Sequence, residues 1–121
     1  MPSLRPMRRS DMVKESRFIV PKFVGVVIVH EGRDIGSGSI VWGDGGRPYL
    51  SMGITDEFRK FPVFMVKTAK MLIEASMQAN GERYTVEDKE EPTAPRLLAH
   101  LGFIDTGETI QGERVLKWQK S

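Results

Sequence analysis

The sequence predicts a domain of the α/β (α+β) class built on one sheet, and three observations predict it. Runs of β-branched residues punctuated by turn residues fill the first half of the chain. Near Phe61 the spacing of apolar residues lengthens to that of a helix. The 121 residues are enough for one core and too few for two. Hydrophobic residues at 40% and charged residues at 28% match ordinary globular usage, which sets aside a wholly disordered chain.

Pro2 and Pro6 fix φ and disfavour helix just before them, so Pro2 to Met7 reads as a short extended segment. Ser10 then suits an N-cap for a brief helix through Asp11-Met12-Val13-Lys14-Glu15, ended by Pro21. Val24 to His30 is β-branched, and Glu31-Gly32-Arg33 turns the chain back into Asp34 to Trp42, which makes a hairpin. Gly43-Asp44-Gly45-Gly46 is a loop, after which Arg47 to Ile54 supplies a third antiparallel strand. Phe61, Met65, Ala69, Leu72, Ile73, Ser76 and Met77 form the stripe of the main helix, with Lys67, Lys70, Glu74 and Gln78 off it and Asn80-Gly81 as its stop. Arg83 to Glu87 returns as a strand, giving a right-handed strand-helix-strand crossover. Pro92 to Leu101 is a second helix closed by Gly102, and Phe103 to Ile110 with Arg114 to Gln119 forms a hairpin around Gln111-Gly112-Glu113. The count is about seven strands with three helices.

Several function classes fall away. Apolar runs such as Val24 to Val29 are far short of the roughly 20 residues of a bilayer span, so no membrane partner is expected. With no cysteine, disulfides, thiolate zinc sites and cysteine nucleophiles are excluded. The N-terminal arginines lack the apolar core of a secretory signal, so the expected location is cytoplasmic. A net charge of +2 does not suggest nucleic acid, although residues 1–22 are locally basic and Glu82 to Glu91 is acidic. His30 and His100 are too few for a metal site, and none is expected. Met65, Met71 and Met77 read as core filling. Trp42 and Trp118 end strands as core lids or contact residues. Gly36-Ser37-Gly38-Ser39 lacks the Lys-Ser or Lys-Thr of a phosphate loop and fits close strand packing instead.

Three segments carry a resemblance to a known family. Leu4-Arg5-Pro6-Met7-Arg8-Arg9-Ser10-Asp11 resembles an "I-R-P-x-x-x-x-D" opening, Ile54-Thr55-Asp56-Glu57-Phe58-Arg59 a "V-x-P-x-[YF]-[RQ]" motif, and Pro92 to Phe103 an "A-x-x-L-Y-x-x-L-G-F" motif. In this order of elements they resemble the GNAT N-acetyltransferases. That resemblance covers nearly the whole chain and implies a mixed, mostly antiparallel sheet of seven strands, helices on both faces, and strands that splay to admit acyl-CoA.

The chain departs from that pattern where the chemistry resides. The family's "[RQ]-x-x-G-x-[GA]" loop cradles pyrophosphate with backbone N–H groups at a helix start, where the helix dipole also favours anions. Here it reads Arg59-Lys60-Phe61-Pro62-Val63-Phe64, with proline lacking an N–H at the first glycine and phenylalanine's bulk at the second. Leu98 stands where a tyrosine would protonate the departing thiolate, and Glu91 falls near a frequent asparagine. The resemblance leaves Ile54, Arg59, Lys60, Val63 and Phe64 as cofactor contacts, and Asp56 and Glu57 as general-base candidates. Acidic residues ahead of a helix are also ordinary partners of its positive end.

Two functions of different class follow. The first is an acetyltransferase-fold protein with a degenerate acyl-CoA loop, a non-catalytic binding or structural component such as a tailed-phage virion or assembly protein. It needs no cofactor and implies a protein partner or homo-oligomer, and a virion location if phage-encoded. The alternative is an active N-acetyltransferase that uses acetyl-CoA on a primary amine.

Overall fold

The computed structural model describes residues 2–11, 23–42, 46–75 and 82–119. Seven strands form one sheet: β1 (Ser3–Pro6), β2 (Phe23–His30), β3 (Arg33–Trp42), β4 (Pro48–Ile54), β5 (Glu82–Val86), β6 (Ile104–Ile110) and β7 (Glu113–Gln119). The two long helices are α1 (Pro62–Ala75) and α2 (Ala94–Leu101). Residues 9–11 are helical; the rest of the expected N-terminal helix, the Asn80-Gly81 stop and most of the Gly43–Gly46 loop lie outside the described residues.

The strand order is β1-β2-β3-β4-β5-β7-β6, and every pairing is antiparallel except β4 with β5. Both expected hairpins close on two residues, Glu31-Gly32 and Gln111-Gly112, all four with positive φ. That geometry matches the twist of the flanking strands, which is why each turn is shorter by the one residue that joins the following strand.

The sheet weakens at its centre. β3 and β4 pair continuously from Gly36↔Ile54 to Trp42↔Pro48, whereas β4 and β5 share only Tyr49↔Tyr84. The next contact is made by a side chain: the buried Thr85 hydroxyl donates to the Leu50 carbonyl at 2.8 Å. Beyond it the two parallel strands part towards their C-terminal ends.

α1 and α2 touch each other and pack on one face. α1 buries Met65, Thr68, Ala69, Leu72 and Ile73; Thr68, absent from the apolar stripe, bonds its hydroxyl back to the Phe64 carbonyl at 2.8 Å. The expected core role of Met71 is corrected, because it faces outward at 36% exposure, and Met77 lies outside the described residues. Trp42 and Trp118 pack half-buried against the core and act as lids. Gly36 and Gly38 serve close packing: a Cβ at Gly36 would sit 2.4 Å from a Phe58 ring carbon, and one at Gly38 2.8 Å from a Leu72 methyl. On the opposite face Met7 lies over Gly25, whose added Cβ would come within 3.0 Å of the Met7 sulfur.

α2 ends as its sequence dictates. Gly102 takes φ 95°, its N–H reaches the Ala99 carbonyl at 3.1 Å, and the Phe103 N–H reaches Leu98 at 3.0 Å. Leu101 and Phe103 therefore enter the core on either side of the turn. Phe103→Ala is expected to cost about 3–5 kcal/mol as a large-to-small core change. A urea titration checks it, and a loss under about 1 kcal/mol would contradict the packing.

Candidate functional site

The parting of β4 and β5 opens a cleft of about 690 Å³, walled by Met52 and Ile54 on one strand and Thr85 and Val86 on the other. Leu97 and Leu98 of α2 close its helical side. Leu98 is buried and is a hydrocarbon where the resemblance expects a tyrosine, so it offers no proton.

The segment after β4 is a tight turn rather than an open loop. Thr55 donates its hydroxyl to the Ile35 carbonyl at 2.5 Å and accepts the Phe58 N–H at 3.2 Å. Phe58, completely buried, anchors the one-turn helix Phe58–Lys60 in the space left by Gly36. Arg59, the next residue, is thereby held out over the mouth of the cleft.

There Arg59 meets Glu91. Its Nε lies 3.0 Å from one carboxylate oxygen of Glu91 and a terminal nitrogen 2.6 Å from the other, and its second terminal nitrogen bonds Asp56. Such a fork-to-fork pair is among the stronger side-chain contacts available to a protein. Glu91 also accepts the Thr93 hydroxyl at 2.7 Å and the Thr93 N–H at 3.1 Å. Arg59 foremost, with Thr93 assisting against the effect of burial, holds the Glu91 carboxyl down at about 2. Reciprocally, the bond to Glu91 raises Arg59 above its ordinary value.

A second depression of about 640 Å³ runs between α1 and α2. Arg59 lines this groove, Glu91 lines the cleft, and Leu97 lines both. The Arg59–Glu91 pair thus stands where the two cavities meet.

The residues singled out in the sequence divide around this pair. Ile54 lines the cleft. Asp56 is fully exposed and bonded to Arg59, and Glu57 pairs with Arg33 at 2.9 Å, so both base candidates are surface ion-pair partners outside the cleft lining. Lys60 is exposed, and Val63 lines the groove at 68% exposure. Pro62 takes the first position of α1, where its fixed φ suits the helix and its missing N–H removes a donor. Phe64 turns its ring onto the core, so the bulk at the helix start comes from Pro62 and Val63 and not from Phe64. His30 stacks edge-on against Phe61 at 4.9 Å, and no cluster of metal-binding side chains occurs among the described residues.

Sequence reasoning missed Thr93 and the partnership of Glu91. The available signal was Glu91-Pro92-Thr93 itself, an acidic residue and a hydroxyl just ahead of a helix.

No protein-family model and no curated protein sequence matches the chain. Solved structures do. A putative acyl-CoA N-acyltransferase from Klebsiella pneumoniae superposes with a TM-score of 0.72 at 13% identity, covering 98% of this chain and 97% of that one. The GNAT domain of S. lividans PAT gives 0.65 at 10% identity, over 94% and 70% of the two chains. Aminoglycoside acetyltransferase AAC(6')-Ib, solved with coenzyme A and kanamycin, gives 0.65 at 14% identity over 99% and 95%. The chain therefore has the GNAT acetyltransferase fold, with the mixed seven-stranded sheet expected of it.

The depressed Glu91 carboxyl predicts an acid-labile contribution to stability. A lowered native pKa stabilises fully above the ordinary value of 4.5, and the contribution is lost as pH falls towards about 2. Glu91→Gln is expected to be less stable than wild type at pH 7, with the gap closing between pH 4.5 and about 2. Denaturant titrations across that range check it; a gap independent of pH would contradict the ion pair.

Proposed function

We propose that this chain is a non-catalytic acetyltransferase-fold protein, a binding or structural component in which an internal ion pair occupies the phosphate-binding position. The observation that carries this reading is Arg59 bound through all three nitrogens of its guanidinium, to Glu91 and Asp56, at the junction of cleft and groove. A pyrophosphate arriving there meets a neutralised arginine and a carboxylate that stays ionised far below neutral pH. Three further features support it: Pro62 withholds a helix-start donor, Leu98 offers no proton, and Asp56 and Glu57 are engaged outside the cleft. A tailed-phage virion or assembly protein is one setting for such a component, and a protein partner or a second copy of the chain is its natural ligand.

One observation favours the second reading, an acetyl-CoA-dependent N-acetyltransferase acting on a primary amine. The strands still part, and the apolar cleft between them would accept an acyl-thioester arm. In that reaction the amine nitrogen bonds to the thioester carbon, the C–S bond breaks, and the amine proton must pass to solvent or to the departing thiolate.

Calorimetric titration of acetyl-CoA, with a thiol-release assay in the presence of a primary amine, separates the readings. The non-catalytic reading expects Kd weaker than about 1 mM and no thiol release. Micromolar binding with steady thiol release would overturn it.

A further inference from the structure

We propose that the groove between α1 and α2 is a docking site for an acidic, amphipathic helical segment of a partner protein. The assignment rests on the reading of the chain as a binding component and names the chemistry of its partner.

Charge distribution carries it. Five arginines of the chain, Arg5, Arg33, Arg47, Arg59 and Arg114, are each paired with carboxylates. The groove is different: beside the paired Arg59 it is lined by Lys67, Lys70, Arg96 and His100, and among the described residues no carboxylate lines it. Lys67 and Lys70 sit on one side of α1, and Arg96 stands on α2 one turn before His100, so cations flank the depression from both helices.

Between these rims the surface is apolar. Val63 is 68% exposed, and Val66 and Leu97 continue it inward. Solvent-exposed valine on the first turn of a helix, bordered by cations that no described carboxylate pairs, is complementary to a segment that presents aliphatic side chains on one face and carboxylates beside them. The lengths agree, since α2 has eight residues, or about 12 Å, which accommodates roughly two turns of a third helix. Nucleic acid fits less well, because among the described residues no Phe, Tyr or Trp lines the groove for a base to stack on.

The test uses the full chain and a fluorescein-labelled helical peptide of about 12 residues, with leucines at i, i+3, i+4 and i+7 and glutamates elsewhere. Fluorescence anisotropy should show saturable binding that weakens with salt and is absent for the same peptide with glutamine in place of glutamate. Lys67→Glu with Lys70→Glu should weaken it about tenfold or more, and Val63→Ser should weaken it at constant charge. All three positions are exposed, so circular dichroism should report an unchanged fold. No binding by the acidic peptide, binding unaffected by these variants, displacement by acetyl-CoA, or stronger binding of an oligo-dT strand would each overturn the proposal. Failure here is distinguishable from failure of the non-catalytic reading. Acetyl transfer with undisturbed peptide binding defeats only that reading, whereas absence of both peptide and acetyl-CoA binding defeats only this one.

Discussion

The bond between Arg59 and Glu91 joins two parts of the fold that the backbone scarcely connects. β4 and β5 share a single ladder pair, so the C-terminal half of β4 and the start of α2 have no common hydrogen-bond frame. A bidentate ion pair across the mouth supplies one, and Thr93 fixes its acidic member from the α2 side. On the proposed reading, the position beside Arg59 that a ligand phosphate would take is filled by the Glu91 carboxylate.

The position of Arg59 is set from below. Gly36 leaves room for the Phe58 ring, Phe58 buries itself there, and Thr55 clips the turn to β3 through the Ile35 carbonyl. Packing around a glycine in a central strand thus determines where a cation stands at the surface. The same face of the sheet receives α1 over Gly38, which sets the helix start beside the turn. With Pro62 at its first position and no acidic residue in its first turn, that helix end keeps its positive character but has fewer donors to offer.

Most of the fold was legible because it is written in local patterns. β-branched runs, two glycine turns and the change of period near Phe61 specify seven strands and two long helices, and Gly102 marks the end of α2. The site was legible only as a set of departures, Pro62, Phe64, Leu98 and Glu91, from a resembling family. What replaced the missing groups was not readable, because Arg59 and Glu91 are 32 residues apart and follow no period. Phe64 misled for a related reason: its spacing does not say whether the ring faces ligand or core, and packing against the core decided it. Lys67 and Lys70 were visible as residues off the apolar stripe, but their joint setting with Arg96 depends on where α2 lies.

The most direct measurement is the acetyl-CoA affinity of Glu91→Ala beside wild type and Glu90→Ala, followed by NMR titration. If Glu91 holds the phosphate position, its removal frees Arg59 and withdraws a negative charge, and affinity rises at least about tenfold, or ~1.4 kcal/mol, with Glu90→Ala unchanged. Equal affinities in all three, with the Glu91→Ala protein folded, would contradict the claim that this ion pair stands in for the ligand.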